Sequence, residues 1–118
     1  MILNEQSAPA FDRESALSRV GGDLDLLREV GALFLKESVP AVSELRRAVA
    51  ARDAFGIEHK AHELKGSIAT FGVGEPFQFA LDIEQRGKTG NLEQVDGLME
   101  RFEHSLDRLC TELRELVG

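Results

Sequence analysis

The chain has 118 residues, the size of one domain, and its 42% hydrophobic and 30% charged residues suffice to bury a core and exclude a disordered segment. Acidic residues outnumber basic ones 21 to 14 for a net charge of -7, the wrong sign for counterion release from phosphate backbones, which argues against nucleic acid and anionic membrane surfaces. The lone Cys110 excludes an internal disulfide and a cysteine zinc cage, no apolar run nears the about 20 residues of a membrane span, and the opening Met1 to Ser7 lacks the features of a secretory signal, so a soluble cytoplasmic protein is expected.

Abundant Leu, Ala and Glu, with few β-branched runs, favour helix. Residues 1–10 show no sustained period and read as an N-terminal arm or linker ahead of one domain over 11–118. Asp12 is placed to cap a short helix carrying Ala16, Leu17 and Val20 that stops at Gly21-Gly22. Asp23 caps a second helix with the stripe Leu24, Leu27, Val30 and Phe34; Pro40 falls within its continuation through Val42, Leu45 and Val49, which predicts a kink in one long helix rather than a break. Asp53 caps a third, running to about Gly72, where Gly72 reads as a terminator. Pro76 suits the start of a fourth helix from Phe77 to about Arg86, ending at Gly87-Lys88-Thr89-Gly90. Asn91 is the expected cap of the last helix, with Leu92, Val95, Leu98, Phe102, Leu106, Leu109, Leu113 and Leu116 at spacings of three and four. The fold class is all-α, an antiparallel four-helix bundle with a short extra N-terminal helix, expected to be a monomer.

The third helix holds the one cluster that a bundle does not need. Its core seam is Ile57, Ala61, Leu64, Ile68 and Phe71; at about 100° per residue, His62 points roughly 140° away from that seam, towards solvent. Gly66 lies one turn beyond on the same side, and Ala69 shares that face. A mid-helix Gly costs about 1 kcal/mol relative to Ala, and local propensity gives no reason for it; the missing side chain opens space beside the imidazole. Lys65 brings a cation near that space. Solvated imidazole is largely unprotonated at neutral pH and presents a free nitrogen. An exposed imidazole, a clearing and an ammonium suit a nucleophile that carries a dianion such as a phosphoryl group, whose charge Lys65 stabilises. No base, oxyanion hole or metal cage stands out to hydrolyse the product, so the expected role is to hold the group and pass it on.

Ala61-His62-Glu63-Leu64-Lys65-Gly66-Ser67, followed by Phe71-Gly72, resembles the core motif of histidine-containing phosphotransfer (HPt) domains of two-component phosphorelays. The resemblance runs from residue 12 to about 117. It includes Ala16-Leu17-Ser18-Arg19-Val20-Gly21-Gly22-Asp23, the stretch from Phe34-Leu35 to Asp53, and Ile83-Glu84-Gln85-Arg86-Gly87-Lys88, which is similar to the family's Leu-Glu-x-x-Gly-Arg segment. The family's usual Cys near Asp82 is absent. The resemblance implies that His62 is the phosphorylated histidine, Lys65 the cation near the phosphoryl oxygens, and Gly66 the small residue that admits the partner. Ser67 matches a small polar position, with helix packing an equal reading. Glu84 matches a position that hydrogen-bonds and orients the imidazole, and Lys88 replaces a common Arg near the site. The implied partners are response-regulator receiver domains and an upstream hybrid sensor histidine kinase. Mg²⁺ belongs to the receiver, and the chain itself has no cofactor and no kinase activity.

The other histidines read as surface or structure: His59 is followed at three and four residues by His62 and Glu63 instead of a Lys and a Gly, and His104 has no accompanying motif. On the fourth helix Phe77, Leu81, Glu84 and Lys88 form one stripe and Phe79, Ala80 and Ile83 another. Either both are buried, or Phe77 or Leu81 joins Leu17, with Ala69 nearby, in an apolar docking rim around His62. Two other functions compete with the carrier: a metal-binding bundle using His59 and His62 with Glu58 or Glu63, and a helical module that only binds partners.

Overall fold

The structure, a computed structural model, describes residues 11–118; the expected arm over 1–10 lies outside the described residues. Five helices follow in order: α1 (Arg13–Arg19), α2 (Leu24–Ala50), α3 (Ala54–Ala69), α4 (Glu75–Thr89) and α5 (Val95–Val117). Among the described residues there is no strand. The four long helices pack in cyclic order, α2 on α3, α3 on α4, α4 on α5 and α5 back on α2, with α1 resting on α2. Short turns between consecutive neighbours make the bundle antiparallel.

The aspartate caps act as their spacing predicts. The side chains of Asp12, Asp23 and Asp53 accept hydrogen bonds from the backbone N–H groups of Ser15, Leu26 and Gly56, at 3.2, 3.1 and 3.1 Å. Each such cap is worth about 1 kcal/mol. The helix α2 runs unbroken through Pro40, whose missing N–H and partly solvent-facing ring are tolerated on an exposed turn. Gly21 and Gly22, with φ of 66° and 80°, make the left-handed turn that ends α1.

Four boundaries differ from the expectation. The helix α3 stops at Ala69, so Gly72, with φ of 153°, lies in the turn beyond rather than at the helix end. The helix α4 begins at Glu75 with Pro76 inside its first turn, and it continues through Gly87 to Thr89 before Gly90 closes it in the left-handed conformation. Gly87 is therefore an interior residue, kept small by tertiary packing. Asn91 does not cap α5: its Oδ1 accepts from the Glu93 N–H at 3.4 Å in a local turn, Leu92 packs on the core ahead of the helix, and the cap position is Gln94 at φ 66°. A side chain that satisfies its own turn is no longer available to the helix N-terminus.

The core is built from one stripe of each helix, with Leu27, Leu45, Ile57, Leu64, Ile83, Phe102 and Leu109 essentially sealed from water. At one end Phe71 meets Phe34 edge-on at 5.2 Å and Phe11 at 6.1 Å between ring centroids. Phe11 is tied down because its N–H donates to Glu112 Oε1 at 2.7 Å, and the next N–H, of Asp12, donates to the Phe71 carbonyl at 2.8 Å. These bonds join the start of the described chain to α5 and to the turn after α3.

Candidate functional site

The site lies where α3 and α4 pack most closely. At Gly87 an added Cβ would come within 2.5 Å of the Glu58 backbone N and 2.8 Å of the Ala54 carbonyl oxygen, so the two backbones are nearly in contact. No other residue fits there without the helices separating. That approach brings Glu84, one turn earlier on α4, against the outer flank of α3.

His62 stands on that flank with 66% of its side chain exposed, whereas the Glu84 side chain is only 12% exposed. Glu84 Oε2 lies 2.8 Å from His62 Nδ1, and Glu84 Oε1 lies 2.7 Å from Lys65 Nζ. One carboxylate thus engages both residues. Burial pushes the Glu84 carboxyl up, but Lys65 first and His62 second outweigh it and hold the group below the usual carboxylate range. An ionised carboxylate only accepts hydrogen bonds, so Nδ1 carries the hydrogen and donates it, leaving the Nε2 lone pair free at the exposed edge of the ring. The arrangement orients the imidazole and places an anion behind it, a geometry that would stabilise positive charge on the ring if Nε2 formed a bond.

Around this centre, Gly66 is open: an added Cβ would meet no atom within 4 Å, so chain packing does not require the glycine. The exposed Ser67 donates its hydroxyl to the Glu63 carbonyl one turn back, at 3.3 Å. Lys88 is exposed one turn beyond Glu84 and has no ion pair among the described residues. Ala69 is half-buried on the His62 flank. Leu17 and Phe77 are half-buried and packed against the core, and Leu81 is half-buried.

His59 supplies an internal comparison. Its ring lies 3.9 Å from that of Phe55, and its Nδ1 donates to the Phe55 carbonyl at 2.9 Å. A neutral carbonyl fixes the same tautomer as at His62 without placing an anion behind the ring. Among the described residues no three His, Cys, Asp or Glu side chains are grouped to hold a metal ion, and the Nδ1 atoms of His59 and His62 are both engaged within the chain.

Sequence reasoning passed over the outer surface of α2. Leu26 and Leu33 are exposed there, and Val30 is half-buried. Leu26 and Leu33 widen the apolar face of α2 beyond the stripe that holds Val30, and that excess was the available signal.

A family model described as the Hpt domain matches residues 29–115. No curated protein matches the sequence. Among solved structures, the chain is similar to the crystal structure of histidine-containing phosphotransfer protein B (HptB) from Pseudomonas aeruginosa PAO1, with 23% identity, a TM-score of 0.84, and coverage of 92% of this chain and 95% of that one. At that identity the likeness establishes the fold, an HPt-type helical bundle.

Proposed function

Because the chain belongs to the Hpt domain family and is thus a histidine phosphotransfer protein of phosphorelays, we propose that His62 accepts a phosphoryl group from the phospho-aspartate of one response-regulator receiver domain and passes it to the aspartate of another. The observation that carries this reading is the pairing of an exposed His62 with the nearly buried Glu84 carboxylate at 2.8 Å.

In the accepting step the Nε2 lone pair attacks phosphorus in line. The N–P bond forms as the P–O bond to the aspartate breaks, and the aspartate departs as a carboxylate. The ring then carries positive charge shared with Nδ1–H, which the Glu84 carboxylate stabilises. Lys65, 2.7 Å from the other Glu84 oxygen, lies three residues from His62 on the same helix and supplies a cation to the incoming dianion. Gly66 leaves the approach unobstructed, and the exposed Lys88, one turn beyond Glu84, is a second cation in this reading. Onward transfer reverses these bonds against a second aspartate. In this reading Mg²⁺ belongs to the receiver, and the chain is a monomeric carrier without kinase activity of its own, supplied by a hybrid sensor kinase.

A phosphorylated receiver labels the wild-type chain and the His59→Gln variant with an acid-labile, base-stable phosphate, and labelling of His62→Gln falls to background. Retention of the label in His62→Gln together with its loss in His59→Gln would refute the assignment.

A further inference from the structure

Two imidazoles stand three residues apart on the outer face of α3. At about 100° per residue, His59 and His62 lie about 60° apart around the helix, with Cβ atoms about 5–6 Å apart. Both are exposed. At each, the Nδ1 hydrogen is already used: His59 donates to the Phe55 carbonyl at 2.9 Å, and His62 donates to the Glu84 carboxylate at 2.8 Å. Both rings therefore keep the tautomer in which Nε2 carries a free lone pair. The Phe55 ring, 3.9 Å away, backs the His59 ring and further restricts it.

A metal-bound histidine ordinarily donates its other ring N–H to a carboxylate or a backbone carbonyl, which fixes the tautomer and raises the basicity of the coordinating nitrogen. His62 has the first arrangement and His59 the second, so both rings are set as ligands in advance. Bonds from zinc to imidazole nitrogen are about 2.0–2.1 Å, so one ion holds two Nε2 atoms about 3–4 Å apart, a gap that rings rooted about 5–6 Å apart can span. Imidazole suits zinc, copper and nickel, whereas Mg²⁺ prefers oxygen ligands and keeps its waters. Among the described residues no three His, Cys, Asp or Glu side chains are grouped, so the remaining positions on such an ion fall to water.

We propose that His59 and His62 form a two-histidine site for an imidazole-seeking divalent ion such as Zn²⁺, and that the ion and a phosphoryl group exclude each other at His62 Nε2. Coordination displaces two waters from the ion and uses the same lone pair that would attack phosphorus; once the N–P bond has formed, that pair is no longer available to the metal. The exclusion rests on the carrier reading above, and the binding does not. His59, which takes no part in the transfer chemistry, thereby decides whether an ion can hold His62.

The test titrates ZnCl₂ into the full, unphosphorylated chain by calorimetry in a non-chelating buffer containing Mg²⁺. The wild type binds one ion per chain; His59→Gln and His62→Gln each weaken the affinity at least tenfold, and substitution of the exposed His104 on α5 to Gln leaves it unchanged. In acceptance from a phosphorylated receiver, Zn²⁺ at ten times the wild-type Kd slows the wild type about tenfold and His59→Gln by no more than about twofold. Any action of Zn²⁺ on the receiver is common to both proteins. Absence of saturable binding, or equal affinity in wild type and His59→Gln, overturns the site. Equal slowing of the two proteins overturns the exclusion. If the wild type binds Zn²⁺ as expected but accepts from no receiver, the carrier reading falls, the exclusion falls with it, and the metal site stands.

Discussion

On the proposed carrier reading, Gly66 places stability and transfer in opposition at a single residue. It sits in the interior of α3, where Gly is about 1 kcal/mol worse than Ala, and an added Cβ would touch nothing in the chain. Gly66→Ala is therefore expected to raise stability by about 0.5–1 kcal/mol, read from the urea midpoint. Gly66→Gln is expected to fold as well as wild type and to slow acceptance from a receiver at least tenfold, because its side chain fills the approach to Nε2. A stabilised Gly66→Gln that transfers at the wild-type rate would remove the docking role of the glycine. Two histidines three residues apart differ at the same scale. Neighbouring residue types separated His62 from His59 in the sequence, but the physical difference is the acceptor at Nδ1: a carboxylate from another helix for His62, the backbone carbonyl of Phe55 for His59.

At the scale of elements, the pairing of α3 with α4 is what assembles the site. The backbones approach at Gly87 within reach of Glu58 and Ala54, and this spacing lets Glu84 engage His62 and Lys65 together. Gly87→Ala must push the helices apart, at about 1–3 kcal/mol for overpacking, and must draw Glu84 off the imidazole. The expected result is a lower urea midpoint with an unchanged m-value, together with slower phosphoryl acceptance; a variant with wild-type stability would show that the helices are not in contact there. The helix starts at Asp12, Asp23 and Asp53 were legible in the sequence because a cap is a bond between residues three apart. Gly87 was misread as a terminator because glycine at a helix end and glycine at a helix crossing look alike along the chain. Asn91 was misread because its side chain has a competing local partner in the Glu93 N–H.

For the molecule as a whole, acid is the condition that acts on fold and site together. Besides Glu84, Asp96 is held below its ordinary range by the Arg52 guanidinium, 2.6 Å away, and Asp12 by the backbone N–H of Ser15. Each folded-state value lies below its unfolded counterpart, about 3.9 for Asp and 4.3 for Glu. The stabilisation is therefore fully present above those values and is lost as pH falls through the lowered ones. Urea midpoints are expected to decline below about pH 4, with a shallower decline in Glu84→Gln, which removes the one nearly buried carboxyl of the three. An unchanged slope in that variant would place the acid sensitivity elsewhere.

The sequence by itself determined the helical class, the number of helices, three of their caps and the outward direction of His62, because these follow from periodicity and from bonds between near neighbours. It also marked Lys65, Gly66 and Glu84 through the resemblance to HPt domains. The tertiary structure alone decided that one carboxylate from α4 engages both His62 and Lys65, that Gly87 is a contact between helices, and that Val30, Leu33 and Phe34 of α2 line a groove against α3. Those features depend on how far apart two helices pack and how they are rotated about their axes, which the summed packing of all four long helices sets and no local run of residues encodes.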